Sequence, residues 1–389
     1  MWIKRDISDK IVESRRAVQI IRGPRQCGKT SLILKLDPSF IEVSLDDPQL
    51  RELANRDPEV FLSQFRGRKL FIDEVQYAPN LFPSIKRQVD LWKRTNQSQQ
   101  TLYRLTGSNQ ILLDKNVKES LAGRVSYFDM NTLSIHEIRK HLDVPIQTIL
   151  YQGGWPELYA TEGINAKDYL DDYINTYVEK DIVLSAGIQK RAEFLKFLRL
   201  LAGRVGQLVD YASLGRESGV EAKTAKEWLS VLEQMNLVCV TQPYSTNMSS
   251  RLVKAPKVYF IDTGLAARLQ GWSSPGPILT SPQQGGLFEN LVYSEIYKAI
   301  NNFRLDWKIY HWRSRDNEEI DFLIEKDPST FLFVEAKVSV QRTPNISKYR
   351  EVRRVFGESI PEVIICHQEG DRILEKNVPV ALLVDRLLA

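Results

Sequence analysis

The sequence predicts an α/β protein made of more than one domain. Short apolar runs alternate with helical patterns from Val18 to about Phe128, a rhythm typical of a parallel sheet with crossover helices. A second set of apolar runs after residue 300 predicts another mixed domain. Because domains usually hold roughly 100–200 residues, a chain of 389 residues should contain two or three of them.

Five apolar segments are the predicted strands of the first sheet. In chain order they read AVQIIRG, FIEVSL, KLFIDE, TLYRLTG and RVSYFDM. Helical patterns separate them, and strands joined by helices usually pair in parallel. We assign residues 1–148 to this first domain.

The middle of the chain is predicted to be mainly helical. Residues 149–190 form a helical connector, which the turn Gly153–Pro156 interrupts. Residues 191–272 contain three helical segments followed by the apolar strands LVCVTQPY and KVYFIDT, a pattern that indicates a winged-helix domain. A loop rich in serine and proline then precedes the last predicted domain, residues 283–389.

Basic residues make the winged-helix segment a candidate for DNA contact, because cations neutralise phosphates. The candidates are Lys223 and Lys226 on the third helix, and Arg251, Lys254 and Lys257 around the wing. Glu221 and Glu227 share that helix, so a role as a lid or as a docking surface for protein stays open.

Bulk composition excludes several classes of protein. The 43% hydrophobic and 26% charged fractions are those of an ordinary globular protein, and no apolar stretch approaches a membrane helix. The charged N-terminus lacks a secretory signal, so we expect a cytoplasmic protein. Cys27, Cys239 and Cys366 lie far apart, which argues against a disulfide framework. A net charge of +4 permits nucleic-acid binding without predicting it.

The segment Gly23–Thr30 fits the pattern GxxxxGK[ST], directly after an apolar strand and before a helical pattern. Backbone N–H groups of such a loop cradle phosphate oxygens, while the lysine reaches the terminal phosphates. The residues expected to contact ATP are Gly23, Pro24, Arg25, Gln26, Cys27, Gly28, Lys29, Thr30 and Ser31. The sequence therefore predicts a nucleotide site in the first domain.

An acidic pair follows the third predicted strand. Asp73 and Glu74 end the run KLFIDE. We expect Thr30 and Asp73 to hold Mg²⁺, because hydroxyl and carboxylate oxygens suit that ion. Glu74 lies one residue further along, where a carboxylate can orient or deprotonate the attacking water.

Together these motifs resemble the AAA+ ATPases of bacteria and archaea whose P-loop reads GxRQxGKT. The segments Gly153–Glu157 and Thr176–Asp181 also resemble this family, so the similarity covers essentially the whole chain. The resemblance implies a sensor at Ser108 or Asn109, with Asn109 preferred. It also implies that Arg124 serves the ATP of a neighbouring subunit in a homo-oligomer; helix capping or a surface ion pair is the alternative.

Two strands in the last domain carry a second group of charges. A hairpin centred near Pro328 would set Asp321 opposite Glu335, and alternation would put Lys337 on the face of Glu335. Two carboxylates holding a metal beside a lysine are the construction of phosphodiester-cleaving sites. The segment resembles the PD-(D/E)XK, or restriction-endonuclease-like, fold, whose preceding helix offers Glu289 or Glu295 as a further ligand. The alternative is an interstrand salt bridge in a fold without activity.

The leading hypothesis is an AAA+ ATPase with ATP and Mg²⁺ as cofactors, which acts on DNA through the winged-helix and nuclease-like domains. In the alternative, nucleotide binding sets the conformation of a switch that binds a protein partner. Neither hypothesis involves a membrane.

Overall fold

The structure is a computed structural model of the chain. It describes residues 1–95, 100–107, 120–183, 187–244, 255–313, 319–341, 354, 356, 361–368, 370, 372–374 and 376–389. The N-terminal unit consists of Lys4–Thr132 and Asn301–Phe303, and the C-terminal unit consists of Met1–Ile3, Leu133–Ile300 and Arg304–Ala389. Among the described residues, no helix is both long and apolar enough to cross a membrane.

A five-stranded parallel sheet forms the centre of the N-terminal unit. Its strands are β1 (Val18–Arg22), β2 (Phe40–Ser44), β3 (Lys69–Asp73), β4 (Tyr103–Gly107) and β5 (Val125–Asp129). They lie in the order β2-β3-β4-β1-β5, and every pair is parallel. Each predicted apolar segment of this region forms one strand. Ile20, Ile72 and Leu105 are fully buried in three neighbouring strands, as expected for a sheet covered on both faces.

Helices connect these strands. They are α1 (Ser8–Glu13), α2 (Lys29–Leu36), α3 (Pro48–Arg56), α4 (Pro58–Ser63) and α5 (Leu81–Thr95), with a 3₁₀ turn at Val75–Tyr77. Both α3 and α4 begin with an Asp-Pro pair. The Asp47 carboxylate accepts hydrogen bonds from the N–H groups of Gln49 and Leu50, and Asp57 accepts one from Val60. A proline in the first turn sacrifices no helical hydrogen bond, so these pairs fix where each helix starts.

The first half of the C-terminal unit is mainly helical. It contains α6 (Ile135–Arg139), α7 (Ile146–Gln152), α8 (Pro156–Ala160), α9 (Ala166–Tyr173), a π-helix (Ile174–Ile182), α10 (Arg191–Ala202), α11 (Tyr211–Ser218), α12 (Ala222–Gln234), β6 (Val238–Thr241), β7 (Lys257–Phe260) and α13 (Thr263–Leu269). The rings of Phe194 and Phe197 on α10 pack edge-on against Trp228 on α12. Strands β6 and β7 pair antiparallel, so the predicted order of three helices and two strands is present.

Close backbone packing explains the glycines of the Gly153–Pro156 turn. A Cβ on Gly154 would lie 2.1 Å from the carbonyl oxygen of Leu133. The N–H of Gly154 also donates to the Asp262 carboxylate at 2.9 Å. The glycine therefore lets the turn approach the segment before α6 without a clash.

A second five-stranded sheet lies in the other half of the C-terminal unit. Its strands are β8 (Lys308–Arg313), β9 (Glu319–Asp327), β10 (Thr330–Lys337), β11 (Glu362–Cys366) and β12 (Asn377–Pro379). Helices α14 (Gln284–Phe303) and α15 (Leu383–Leu388) precede and follow these strands in the chain, with 3₁₀ turns at Ile278–Thr280 and Val380–Leu382. The strand order is β12-β11-β10-β9-β8. Strands β8, β9 and β10 are antiparallel, whereas β11 runs parallel to β10 and β12 to β11. The predicted hairpin is formed by β9 and β10.

The segment after β6 adds to the outer edge of this sheet. The N–H of Tyr244 donates to the carbonyl of His311 on β8 at 2.7 Å, and the N–H of His311 donates to Gln242 at 3.2 Å. The Tyr244 ring packs against the ring of Phe331 on β10. Although the serine- and proline-rich loop predicts a boundary, the winged-helix candidate and the last predicted domain share these contacts and lie in one unit.

Candidate functional site

The loop between β1 and α2 depends on glycine at two positions. A Cβ on Gly23 would lie 2.0 Å from the carbonyl oxygen of Met130. Gly28 has a φ of 92°, in the left-handed region, and α2 begins at the next residue. Glycine adopts this conformation without the steric cost that a side chain brings. The loop therefore turns tightly and leads directly into the helix N-terminus, which suits an anion.

The Lys29 ammonium is held by the loop that it would serve. It donates to the carbonyl oxygens of Gly23 at 3.0 Å and Pro24 at 2.8 Å. The Lys29 side chain is buried, since only 7% of the residue is exposed. These contacts keep a positive charge beside the loop, where phosphate oxygens of a nucleotide would bind.

Asp73, at the end of β3, joins this loop to the neighbouring strands. One carboxylate oxygen accepts a hydrogen bond from the Thr30 hydroxyl at 2.7 Å. The other accepts from the Thr106 hydroxyl on β4 and from the N–H of Glu74 at 3.0 Å. The Thr30 hydroxyl and the Asp73 carboxylate are oxygen donors of the kind that Mg²⁺ prefers, so the residues present fit this ion.

Glu74 follows in an uncommon backbone conformation. Its φ is 53° and its ψ is 42°, in the left-handed region that non-glycine residues seldom adopt. The side-chain amide of Gln76, which is 4% exposed, donates to the Glu74 carboxylate. The carboxylate that we expect to serve the attacking water is therefore held by a buried neighbour.

Other expected nucleotide contacts differ in their exposure. Cys27 is buried, Arg25 is half-buried, and Gln26 and Ser31 are exposed. The sensor candidates Ser108 and Asn109 lie outside the described residues.

Arg124 forms a two-pronged ion pair with Asp90 on α5. Its Nε and Nη2 donate to the two carboxylate oxygens at 2.7 and 2.9 Å. The hydrogen bonds from Arg124 lower the pKa of Asp90. This is the surface ion pair that the sequence leaves open as the alternative to a role across a subunit interface.

The hairpin of β9 and β10 brings Asp321, Glu335 and Lys337 together. Phe322 pairs with Val334, so Asp321 and Glu335 occupy the next positions of the two strands. The Lys337 ammonium lies 2.6 Å from the Glu335 carboxylate and 3.1 Å from Asp321. Burial opposes the charge of Lys337, but the two carboxylates raise its pKa. Within the described ranges, no three Asp, Glu, His or Cys side chains are grouped to hold a metal ion.

Glu289 on α14 is a near neighbour of this cluster. Its carboxylate accepts hydrogen bonds from the Lys257 ammonium at 3.0 Å and from the Tyr259 hydroxyl at 2.6 Å. Burial, followed by the charge of Asp321, raises the pKa of Glu289 to about 7, although Lys257 opposes the shift. Glu295 lies elsewhere, because it accepts from the N–H of Ile135 at 2.7 Å.

The basic residues expected to contact DNA are placed unequally. Lys223 and Lys226 are exposed on α12. Arg251 and Lys254 lie outside the described residues. The expectation for Lys257 is wrong: it is 3% exposed, and its ammonium is held by Glu289 and by Glu319 at 2.8 Å, so it cannot meet a phosphate.

Three family models match successive parts of the chain. A model described as an AAA domain matches residues 15–139, and two domains of unknown function, DUF8612 and DUF4143, match residues 143–276 and 284–383. The first match spans the β1 loop, Lys29, Asp73 and Glu74. Residues 15–139 form an AAA-type P-loop ATPase domain.

The similarity to other proteins covers most of the chain. The uncharacterized protein Rv2008c of Mycobacterium tuberculosis is 28% identical over 96% of this chain and 81% of its own length. The uncharacterized protein MJ1637 of Methanocaldococcus jannaschii is 23% identical over 74% of this chain and 70% of its own length. Among solved structures, the Walker-type ATPase PABY2304 of Pyrococcus abyssi has a TM-score of 0.41 and 16% identity, covering 68% of this chain and 95% of that one.

Sequence reasoning missed four polar residues that support the site of the ATPase domain. Thr106 and Gln76 bind the two acidic side chains, while the Arg22 guanidinium, next to the loop, binds Asp129. Arg5 donates to the loop carbonyl of Cys27. The positions of Thr106 and Gln76, at a strand end and just after the acidic pair, are signals that sequence analysis can use; Arg5 lies in no motif.

Proposed function

We propose that this protein hydrolyses ATP with Mg²⁺ and couples the reaction to action on DNA. The observation that carries the ATPase proposal is the 2.7 Å hydrogen bond between the Thr30 hydroxyl and the Asp73 carboxylate. That contact brings a residue of the phosphate-binding loop beside an acidic residue at a neighbouring strand end, which is the ligand pair that P-loop enzymes use for magnesium.

Each residue then has one role. Lys29 and the backbone N–H groups of the loop bind phosphate oxygens. Thr30 and Asp73 would hold Mg²⁺, which when bound supplies positive charge against the phosphates. Glu74 orients the attacking water and accepts its proton, and Gln76 restrains the Glu74 carboxylate.

The magnesium assignment is tested by the variant Asp73→Asn. We expect it to raise the Mg²⁺ concentration for half-maximal ATP turnover by about 10- to 100-fold, the usual effect of removing a group that supports a bound metal. Asp46→Asn is the matched control, since Asp46 is exposed near the end of β2. An unchanged magnesium requirement in Asp73→Asn would contradict the assignment.

The DNA proposal rests on the exposed cations of α12. Lys223 and Lys226 lie on one helix of the winged-helix candidate and are open to phosphates. We expect DNA to raise the rate of ATP turnover, and Lys223→Glu with Lys226→Glu to weaken that effect by introducing repulsion. If neither single-stranded nor duplex DNA changes the ATPase rate, the result would favour the protein-binding switch instead.

For the C-terminal cluster we propose metal-dependent cleavage of DNA as the leading activity. Asp321, Glu335 and Lys337 supply the two carboxylates and the lysine that such a site needs. Lys337→Ala should then reduce DNA cleavage with Mg²⁺ or Mn²⁺ by orders of magnitude while ATP turnover is kept. Lys308→Ala on β8 is the control, because Lys308 is exposed and pairs with Glu325, four residues along β9 from Asp321.

A second candidate has a specific observation in its favour. The Lys337 ammonium lies against both carboxylates, as it would in a salt bridge that only stabilises the hairpin. In that case the C-terminal unit is a binding module, and ATP sets its conformation. No cleavage of any nucleic acid by the unaltered protein, with loss of stability in Lys337→Ala, would decide for this candidate.

A further inference from the structure

We infer that Arg5 is a positioning residue for the phosphate-binding loop, an inference that rests on the proposed nucleotide function. Arg5 lies just before α1, outside every nucleotide-binding motif of the chain. It is only 2% exposed, although arginine is seldom so buried without a specific set of partners. Its burial beside the loop calls for a reason beyond solubility or surface charge.

The Arg5 guanidinium bridges the loop and the segment that follows β5. Its Nη1 donates to the carbonyl oxygen of Cys27 at 2.8 Å, and its Nη2 donates to the carbonyl oxygen of Asn131 at 2.6 Å. The same two segments also meet where the Cys27 thiol lies 3.5 Å from the Met130 carbonyl oxygen. The guanidinium therefore fixes the loop against a strand end of the central sheet.

The atom that Arg5 holds belongs to the peptide unit between Cys27 and Gly28. In a planar trans peptide the carbonyl and the N–H point in opposite directions. By fixing the Cys27 carbonyl on the protein side, Arg5 turns the Gly28 N–H to the opposite side of the loop. Gly28 directly precedes α2 and Lys29, where the loop N–H groups cradle phosphate oxygens.

The charge of Arg5 adds to this geometric effect. A cationic donor on the carbonyl polarises the peptide unit and makes its N–H a stronger donor. The low exposure of Arg5 limits screening by water, so its positive charge also favours an anion at the loop. Arg5 thus prepares the loop for phosphate without contacting the nucleotide.

The variant Arg5→Ala tests this inference in the full-length protein. We expect the Kd values of ATP and ADP, measured with Mg²⁺ by calorimetry, to rise by about 10- to 100-fold, as expected when a charged donor is lost. The value of KM should rise with Kd, whereas kcat at saturating ATP should change much less. Arg5→Lys keeps the charge and should restore part of the affinity.

Lys4→Ala is the matched control, because Lys4 is an adjacent cation with an exposed side chain. Its nucleotide Kd should equal that of the unaltered protein. If Arg5→Ala folds and binds ATP normally, the inference is wrong. If Arg5→Ala fails to fold, normal ATP affinity in both Arg5→Gln and Arg5→Lys overturns the inference. Absence of ATP binding by the unaltered protein would contradict the proposed function itself.

Discussion

Asp73 receives hydrogen bonds from three donors that come from different parts of the ATPase domain. Thr30 belongs to α2, Thr106 to β4, and the third donor is the N–H of Glu74. A carboxylate with several donors is held in one orientation. The magnesium pair is therefore positioned by the ends of two neighbouring strands and one helix.

Arg124 is paired with Asp90 in the structure, and its proposed role across a subunit interface has a direct test. If it acts on the ATP of a neighbouring subunit, Arg124→Ala should lower hydrolysis by roughly 10³-fold, in the range of other arginine fingers. Mixing with Lys29→Ala subunits, which retain Arg124, should restore part of the rate. The comparison variant is Asp90→Asn, which removes the ion pair but keeps the guanidinium. Equal losses in Arg124→Ala and Asp90→Asn, without rescue by mixing, would reduce Arg124 to a structural partner of Asp90.

Glu295 provides a pH-dependent test of buried charge. Burial raises its pKa above the usual 4.5, although the neighbouring Lys298 opposes the shift. The folded protein therefore keeps this proton to a higher pH than the unfolded chain, and stability is lost as the pH rises above about 4.5. In Glu295→Gln the free energy of unfolding, measured in urea at pH 5 and pH 8, should fall less across this interval. An identical fall in the variant and in the unaltered protein would contradict a raised pKa of Glu295.

At the level of elements, tight backbone contacts fix the turn between α7 and α8. A Cβ on Gly264, at the start of α13, would lie 2.4 Å from backbone atoms of Gln152 and Gly153. Asp262 meanwhile caps α13 and binds Gly154 of the turn. These contacts explain a glycine-rich motif that sequence analysis interprets as a break in a helical region and as part of the family resemblance.

The variant Gly264→Ala tests this packing. We expect it to reduce the free energy of unfolding by about 3 kcal/mol, because the added methyl group overpacks a rigid backbone contact. Gly276→Ala is the control, since nothing lies within 4 Å of its Cβ position. Urea unfolding of both variants gives the comparison. Equal stabilities would show that the turn yields to the extra group.

Much of this architecture is predictable because its signals are local. The strand endings at Asp73 and the motif at Lys29 lie in continuous sequence, and the apolar runs before them fix the parallel sheet. Arg5 is different, since its contact with Cys27 depends on folding of the complete sheet. The expected contact of Lys257 with phosphate is wrong for the same reason. Only the fold reveals that Lys257 is buried and paired with Glu289.

For the molecule as a whole, the attachment of the winged-helix candidate to the last sheet changes the expected organisation. The Tyr244 backbone joins β8, and Lys257 on β7 reaches Glu289 and Glu319. Movement of either part is thus expected to move the other. If ATP changes the conformation of the C-terminal unit, the winged-helix candidate and the last sheet would then move together rather than as two separately tethered domains.

The central claim, that the protein is a magnesium-dependent ATPase, is tested most directly by comparing Glu74→Gln with Lys29→Ala. Glu74→Gln should bind ATP with nearly unchanged Kd and lose most turnover, because the carboxylate serves only the attacking water. Lys29→Ala should lose tight binding, because the ammonium contacts phosphate. Both quantities are measured on the full-length protein by calorimetry and by phosphate release. Normal turnover in either variant would contradict the account.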